Sequence, residues 1–304
     1  MRGGDRARSR RHLSQQYQPH CRASAGKPVL LAHRGIAQRF DETDLKNDTC
    51  TASRMLPPRH GYLENTVPSM QAGFAAEADI VEIDVHPTTD GEFAVFHDWT
   101  LDCRTDGHGV TRKHSMAEMR RLDIGYGYTA DGGKTFLFRG QGIGMMPTLA
   151  QVLSTSPDRR FLINIKSRDP SEGEKLAAVL NALPAAQRAG IIVYGGDEPI
   201  DVLGRLAPDI KTASRKSLKG CLFGYVGYGW TGLLPEACRH RMMLVPVRAL
   251  AVGLAGPLSQ PDAGCRNGGF GARPLSRRRF FHRHRRCRAA GAAAAGLCGR
   301  PMDE

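Results

Sequence analysis

Short apolar runs that stop abruptly at polar or charged residues recur along this chain, and that recurrence restricts its fold more than any other feature. Residues 28–32 end in His33, Arg34 and Gly35, residues 92–96 end at His97 and Asp98, and residues 161–166 carry Asn164 and Lys166 on one face. Further apolar segments lie at 190–194, 210–213 and 242–247. Runs of this kind read as buried strands of a parallel sheet. Helical spacing separates them at 67–78, 172–183 and 200–206, and Thr66 or Asn65 is placed to cap the first of these helices ahead of Pro68. Strands alternating with helices predict a parallel α/β sheet. Polar residues cluster where the strands end and no Gly-rich phosphate loop follows the first strand. Both features favour a TIM-type (β/α)8 barrel, of about 250 residues, over an open doubly wound sheet. The 304 residues then divide into a basic segment 1–27, a barrel at 28–247 and a tail at 248–304.

The segment 79–86 adds chemistry to this outline. Side chains alternate across a strand, so Glu82 and Asp84 share one face while Val81, Ile83 and Val85 take the other. Two carboxylates on one face form a hard oxygen site suited to Ca²⁺ or Mg²⁺, which would polarise phosphoryl oxygens. Thr89-Asp90-Gly91 reads as a hairpin turn that brings His97 back beside them. Histidine titrates nearest neutrality, so His33 and His97 are the candidate acid and base for phosphodiester cleavage, with their order left open. Arg34 offers a planar fork, and Lys166 a point charge, to a phosphate group.

His33-Arg34-Gly35, Glu64-Asn65-Thr66, Glu82-x-Asp84, Thr89-Asp90-Gly91 and His97-Asp98, in that order, resemble the glycerophosphodiester phosphodiesterase signature. The resemblance runs from about residue 28 to 247 and includes Pro147-Thr148-Leu149 and Ile165-Lys166. It implies metal-dependent hydrolysis of a glycerophosphodiester to glycerol 3-phosphate and an alcohol. By the same resemblance His33 and His97 are catalytic, Glu82, Asp84, Glu64 and Asn164 surround the metal, Arg34 and Lys166 bind phosphate, and Asn65 and Asp98 support them. Asn164 stands where the family usually has a third acid, which predicts a weaker metal site. Lysophospholipase D or sphingomyelinase D activity on the same barrel is the alternative, with a lysolipid substrate and a membrane surface as partners. An inactive truncated product is the other.

Composition qualifies this reading at both ends. Lys and Arg number 43 against 30 Asp and Glu, a net charge of +13, but the excess lies in residues 1–22 and 263–302. A basic tail carrying Phe280 and Phe281 among arginines raises nucleic-acid binding, yet no specific nucleic-acid partner is expected. The Arg, Gly and Ala runs after Arg248 instead look like the out-of-frame reading of a GC-rich gene, which leaves the last barrel unit incomplete. Residues 4–14 shift in the same way into an apolar stretch resembling a signal or anchor, implying an ancestral periplasmic or membrane-anchored location. As written, no apolar run spans a membrane and the chain is expected to be soluble. The eight cysteines lack CxxC spacing and read as free thiols.

Overall fold

The computed structural model describes residues 29–46, 48–239, 242 and 273–274. Within them β1 (Leu30–His33) leads through a long loop to α1 (Val67–Ala75) and then to β2 (Ile80–Pro87) and β3 (Phe93–Val95). After a second long excursion containing α2 (Met116–Met119) come α3 (Leu149–Thr155), β4 (Phe161–Ile165), α4 (Pro170–Asn181) and α5 (Ala185–Arg188). The series continues with β5 (Ile191–Gly195), α6 (Asp197–Leu206), β6 (Lys211–Ala213), α7 (Arg215–Tyr228) and the two-residue β7 (Arg273–Pro274). The sheet order is β6-β5-β4-β2-β1-β7, parallel throughout, with β3 antiparallel on β2. Strands added in sequence order with helices between them match the winding expected of a (β/α) barrel.

Strand parity sorts the residues into two layers. Val81, Ile83 and Val85 of β2 join Phe161, Ile163 and Ile165 of β4 and Ile191 and Val193 of β5 under Leu176, Leu180, Ile200 and Leu203 from the helices. Each large aliphatic side chain fully buried there contributes roughly 1.5–3 kcal/mol. On the opposite face Leu31, Ile80, Leu162 and Ile192 form a smaller apolar floor. The next residues of the same parity are His33, Glu82, Asn164 and Tyr194, and their pairings place them side by side: His33 opposite Glu82, Asp84 opposite Asn164, and Asn164 opposite Tyr194. The polar layer thus rests on an apolar one.

Capping fixes the helix starts. Thr66 accepts from the Ser69 amide and Ser69 accepts from the Thr66 amide, both at 3.3 Å, which decides between the two sequence candidates in favour of Thr66. The same reciprocal pattern opens α2, α3 and α7 at Ser115, Thr148 and Ser214.

The two long excursions share a core of their own. Ala52, Met55 and Leu63 from the first pack with Leu101, Met116, Met119, Tyr128, Phe138 and Met146 from the second. Here the reading of the cysteines as free thiols is overturned. Cys50 and Cys103 form a disulfide between the two excursions, and Cys221 and Cys238 form another that ties α7 to the chain beyond it. The first pair is 53 residues apart in sequence, so only tertiary packing brings it together. Cys21, Cys265, Cys287 and Cys298 lie outside the described residues, as do the basic segment 1–27 and nearly all of the tail.

The apolar segment predicted at 242–247 is described only at Met242, whose amide donates to Thr212 O beside β6. In the tail nothing strand-like was expected, yet Arg273 and Pro274 pair with Leu30 and Leu31. Two residues are too short to show alternation, and their pairing follows the available edge of β1. Among the described residues no helix is long and apolar enough to cross a membrane.

Candidate active site

The strand ends deliver their polar residues to one place. Arg34 follows β1 with φ 58° and Asn65 precedes α1 with φ 57°, both left-handed, and the Asn65 amide donates to Arg34 O at 3.0 Å. Such backbone strain in non-glycine residues persists only where the surroundings enforce it. Gly35 supplies the close approach this requires: a Cβ there would lie 2.6 Å from the Ser69 carbonyl carbon and Oγ. The His33-Arg34-Gly35 run therefore docks directly on the first turn of α1.

Asp84, 1% exposed, is the hub. Its Oδ1 accepts from Asn164 Nδ2 at 2.9 Å and lies 3.4 Å from Lys166 Nζ. Its Oδ2 accepts from Asn65 Nδ2 at 3.1 Å and lies 3.2 Å from Arg34 Nε. Burial would raise its pKa, but Arg34, then His97 and Lys166, hold this carboxyl well below the usual range. Glu82, 2% exposed, is pushed the other way, first by burial and then by the charge of Asp84. Tyr194 donates to Glu82 Oε1 at 2.8 Å, and His33 Nε2 stands 3.7 Å from Oε2. Burial, and after it the Arg34 guanidinium, lower the His33 pKa, so this imidazole is neutral near pH 7 although half of its side chain is open to solvent.

Glu64 lies between two guanidinium groups, with Arg34 Nη1 at 2.7 Å from Oε1 and Arg104 Nη1 at 3.1 Å from Oε2. His97 Nδ1 lies 2.6 Å from Asp98 Oδ1, and Arg104 Nε donates to Asp98 Oδ2 at 2.8 Å. Burial works to raise the Asp98 pKa, but Arg104 and then the His97 hydrogen bond outweigh it and lower it to about 2. An ionised carboxylate can only accept, so the His97 Nδ1–H donates to Asp98 Oδ1. The two imidazoles are within electrostatic reach of each other and of Asp84.

Among the described residues no group of three or more His, Cys, Asp or Glu side chains could hold a metal ion. What exists is a two-carboxylate pair, Glu82 and Asp84, with the Asn164 amide beside it. The donors are hard oxygens, and the raised pKa of Glu82 shows that the pair would be relieved by additional positive charge. They fit a divalent cation in kind, with one negative charge fewer than three acids would give.

The chain matches the Glycerophosphoryl diester phosphodiesterase family over residues 33–198, more than half its length. It belongs to that family. The glycerophosphodiester phosphodiesterase of Caldanaerobacter subterraneus subsp. tengcongensis is 31% identical over 190 residues, covering 61% of this chain and 65% of that one. The glycerophosphodiester phosphodiesterase of Bacillus subtilis is 32% identical over 144 residues, covering 44% and 48%. The chain thus spans less than two thirds of the first of these relatives and about half of the second. Among solved structures, a putative glycerophosphoryl diester phosphodiesterase from Silicibacter pomeroyi superposes with a TM-score of 0.50 at 18% identity, covering 82% of this chain and 90% of that one. That likeness concerns the fold.

Every residue named as a site candidate from the sequence lies in the described part of the chain, and their contacts form one cluster in which Arg104 joins the His97–Asp98 pair to Glu64 and the others. Several further members were missed. Arg104, 2% exposed, bonds Glu64, Asp98, the Tyr128 hydroxyl and Thr51 at once. Tyr194 holds Glu82. His86, 1% exposed and with its pKa lowered to about 4 by burial, lies 3.4 Å from His97 O. Glu172, buried in the first turn of α4, pairs with Arg112, whose guanidinium lies over the Trp99 ring. His86 shares the parity of Glu82 and Asp84, a signal that could have found it.

The lowered Asp98 pKa carries a stability consequence. Its carboxyl titrates at about 2 in the folded state against a usual 3.8. A depressed pKa means stability that is fully present above 3.8 and lost as pH falls through 2, worth roughly 2 kcal/mol. Urea unfolding followed from about pH 6 to about pH 2.5 should show Asp98→Asn losing roughly 1.5 kcal/mol less than the native chain, because part of the contribution persists until the pH falls below 2. Equal losses would show that Asp98 is not held ionised by Arg104.

Proposed function

We propose that this chain hydrolyses glycerophosphodiesters to glycerol 3-phosphate and an alcohol. The observation that carries the reading is the meeting of two imidazoles, Arg34 and Lys166 around the Glu82–Asp84 pair. Arg34 and Lys166 attract the phosphoryl group, and Glu64 holds the Arg34 fork in place. His33, neutral at pH 7, takes the proton from the attacking water as its oxygen bonds phosphorus. His97 gives a proton from Nε2 to the leaving alkoxide as the ester P–O bond breaks, and Asp98 opposite Nδ1 stabilises positive charge on the ring. These unlike surroundings are the basis for assigning base to His33 and acid to His97. A divalent cation, Ca²⁺ or Mg²⁺, would be held by Glu82 and Asp84 with the Asn164 amide, and when bound it would withdraw charge from the phosphoryl oxygens.

The test is release of glycerol 3-phosphate from glycerophosphocholine, with lysophosphatidylcholine as the lipid counterpart, each measured with Ca²⁺, with Mg²⁺ and after chelation. Turnover of glycerophosphocholine that requires a divalent ion is expected, and Asn164→Glu should tighten ion binding measured by calorimetry by roughly tenfold or more. Turnover undiminished by chelation, or no turnover under any condition, would overturn the reading.

A further inference from the structure

The Cys50–Cys103 disulfide precedes Thr51 on one side and Arg104 on the other by a single residue, and those two neighbours are bonded to each other: Arg104 Nη2 donates to Thr51 Oγ1 at 2.6 Å. From Arg104 the connection runs through Nε to Asp98 Oδ2 at 2.8 Å and from Asp98 Oδ1 to His97 Nδ1 at 2.6 Å. Every link from the sulfurs to the imidazole is a covalent bond or a short hydrogen bond. Among the described residues, the other links from Thr51 and its neighbours to the second excursion are chiefly the Thr129 amide donating to Ala52 O at 3.1 Å and the apolar packing of Ala52 and Met55.

Arg104 itself is otherwise held by its own excursion, through the Tyr128 hydroxyl at 2.6 Å, and by Glu64. Thr51 is therefore the contact that the disulfide controls. The sulfurs are also reachable. Cys50 and Cys103 line a cavity of about 600 Å³ together with Thr100, Asp102, His108 and Tyr126. Neither cysteine is fully buried, so a small dithiol can approach.

We propose that the Cys50–Cys103 disulfide, through Thr51 and Arg104, is a positioning element for the His97 imidazole, and that its reduction slows turnover without weakening substrate binding. This inference rests on the role of His97 proposed above. In the reductive step the protein S–S bond breaks, each sulfur takes one electron and one proton, and the dithiol supplies both pairs while closing its own disulfide. With the disulfide open, Thr51 is no longer tied through Cys50 to the residue next to Arg104 and withdraws, Arg104 loses one of its four side-chain partners, and Asp98 is turned toward Nδ1 by a less constrained guanidinium. Small displacements of a proton donor are expensive: about 1 Å of misplacement can lower turnover by two powers of ten.

The experiment compares the oxidised chain, the chain treated with dithiothreitol and alkylated so that mass spectrometry maps the reduced sites, the C50S/C103S double variant and the C221S/C238S double variant. Reduction and C50S/C103S should each lower kcat for glycerophosphocholine by roughly tenfold or more while KM changes less than about twofold. The C221S/C238S chain should keep native turnover and remain sensitive to dithiol, whereas C50S/C103S should be insensitive. Spectra of ¹⁵N-histidine-labelled protein give a second reading that needs no turnover: the His97 Nδ1–H resonance, sharp in the oxidised chain, should broaden or vanish on reduction. Confirmed reduction of Cys50 and Cys103 with kcat and that resonance unchanged overturns the inference. An oxidised chain without phosphodiesterase activity overturns the proposed function instead, and the resonance still decides whether the disulfide positions His97.

Discussion

Replacing His97 with alanine should lower kcat for glycerophosphocholine by roughly two to four powers of ten, the scale expected when a positioned acid or base is removed. The loss should fall on kcat, because Arg34 and Lys166, which attract the phosphoryl group, make no bond to the His97 ring in this structure. His33→Ala should give a loss of the same order. The double variant should lose far less than the product of the two, since an acid and a base that act in one step fail together. The fold should survive in both single variants: the His33 side chain is 55% exposed and lies 3.7 Å from its nearest acid, and the His97 ring is joined mainly to Asp98. Matching thermal unfolding with near-native turnover in both single variants would remove both imidazoles from the chemistry.

The parts of this site that could be read from the sequence are those governed by short-range geometry. Strand parity put Glu82 and Asp84 on one face without knowledge of their neighbours, and the change from apolar to polar at the ends of β1 and β3 marked His33 and His97 as strand-end groups. Cap chemistry located the start of α1 to within one residue. Arg104 was illegible for a physical reason. It sits in a polar excursion where an arginine is ordinarily solvated, and its 2% exposure comes from Tyr128, Thr51 and Glu64, which are 24, 53 and 40 residues away. The Cys50–Cys103 bond escaped notice because packing of two loops, and no local spacing, brings it together. Tyr194 was hidden because an aromatic at the end of an apolar strand looks like core, and only the register of β5 on β4 reveals that its hydroxyl faces Glu82.

Arg104→Met should be the most damaging single change away from the reacting atoms. The guanidinium is enclosed, joins Glu64 and Asp98 by ion pairs at 3.1 and 2.8 Å, and donates to Tyr128 and Thr51 at 2.6 Å. Methionine fills much of the volume but leaves two buried carboxylates short of a counter-charge, a change that costs about 3–5 kcal/mol when one partner of a buried pair is removed. Glu64 keeps Arg34, so the greater electrostatic loss falls on Asp98, whose pKa Arg104 does most to lower. Without that cation Asp98 tends to take up a proton, and a neutral acid no longer stabilises the positive charge of the doubly protonated His97 ring that gives its Nε2 proton to the leaving group. Arg104→Met should therefore lose stability in urea unfolding and, at temperatures where it remains folded, lose kcat as well. Arg104→Lys restores the charge without the planar fork and should recover stability more fully than turnover. If the lysine variant recovers both equally, Arg104 contributes charge alone, and the fork geometry that orders Asp98 and His97 has no catalytic consequence.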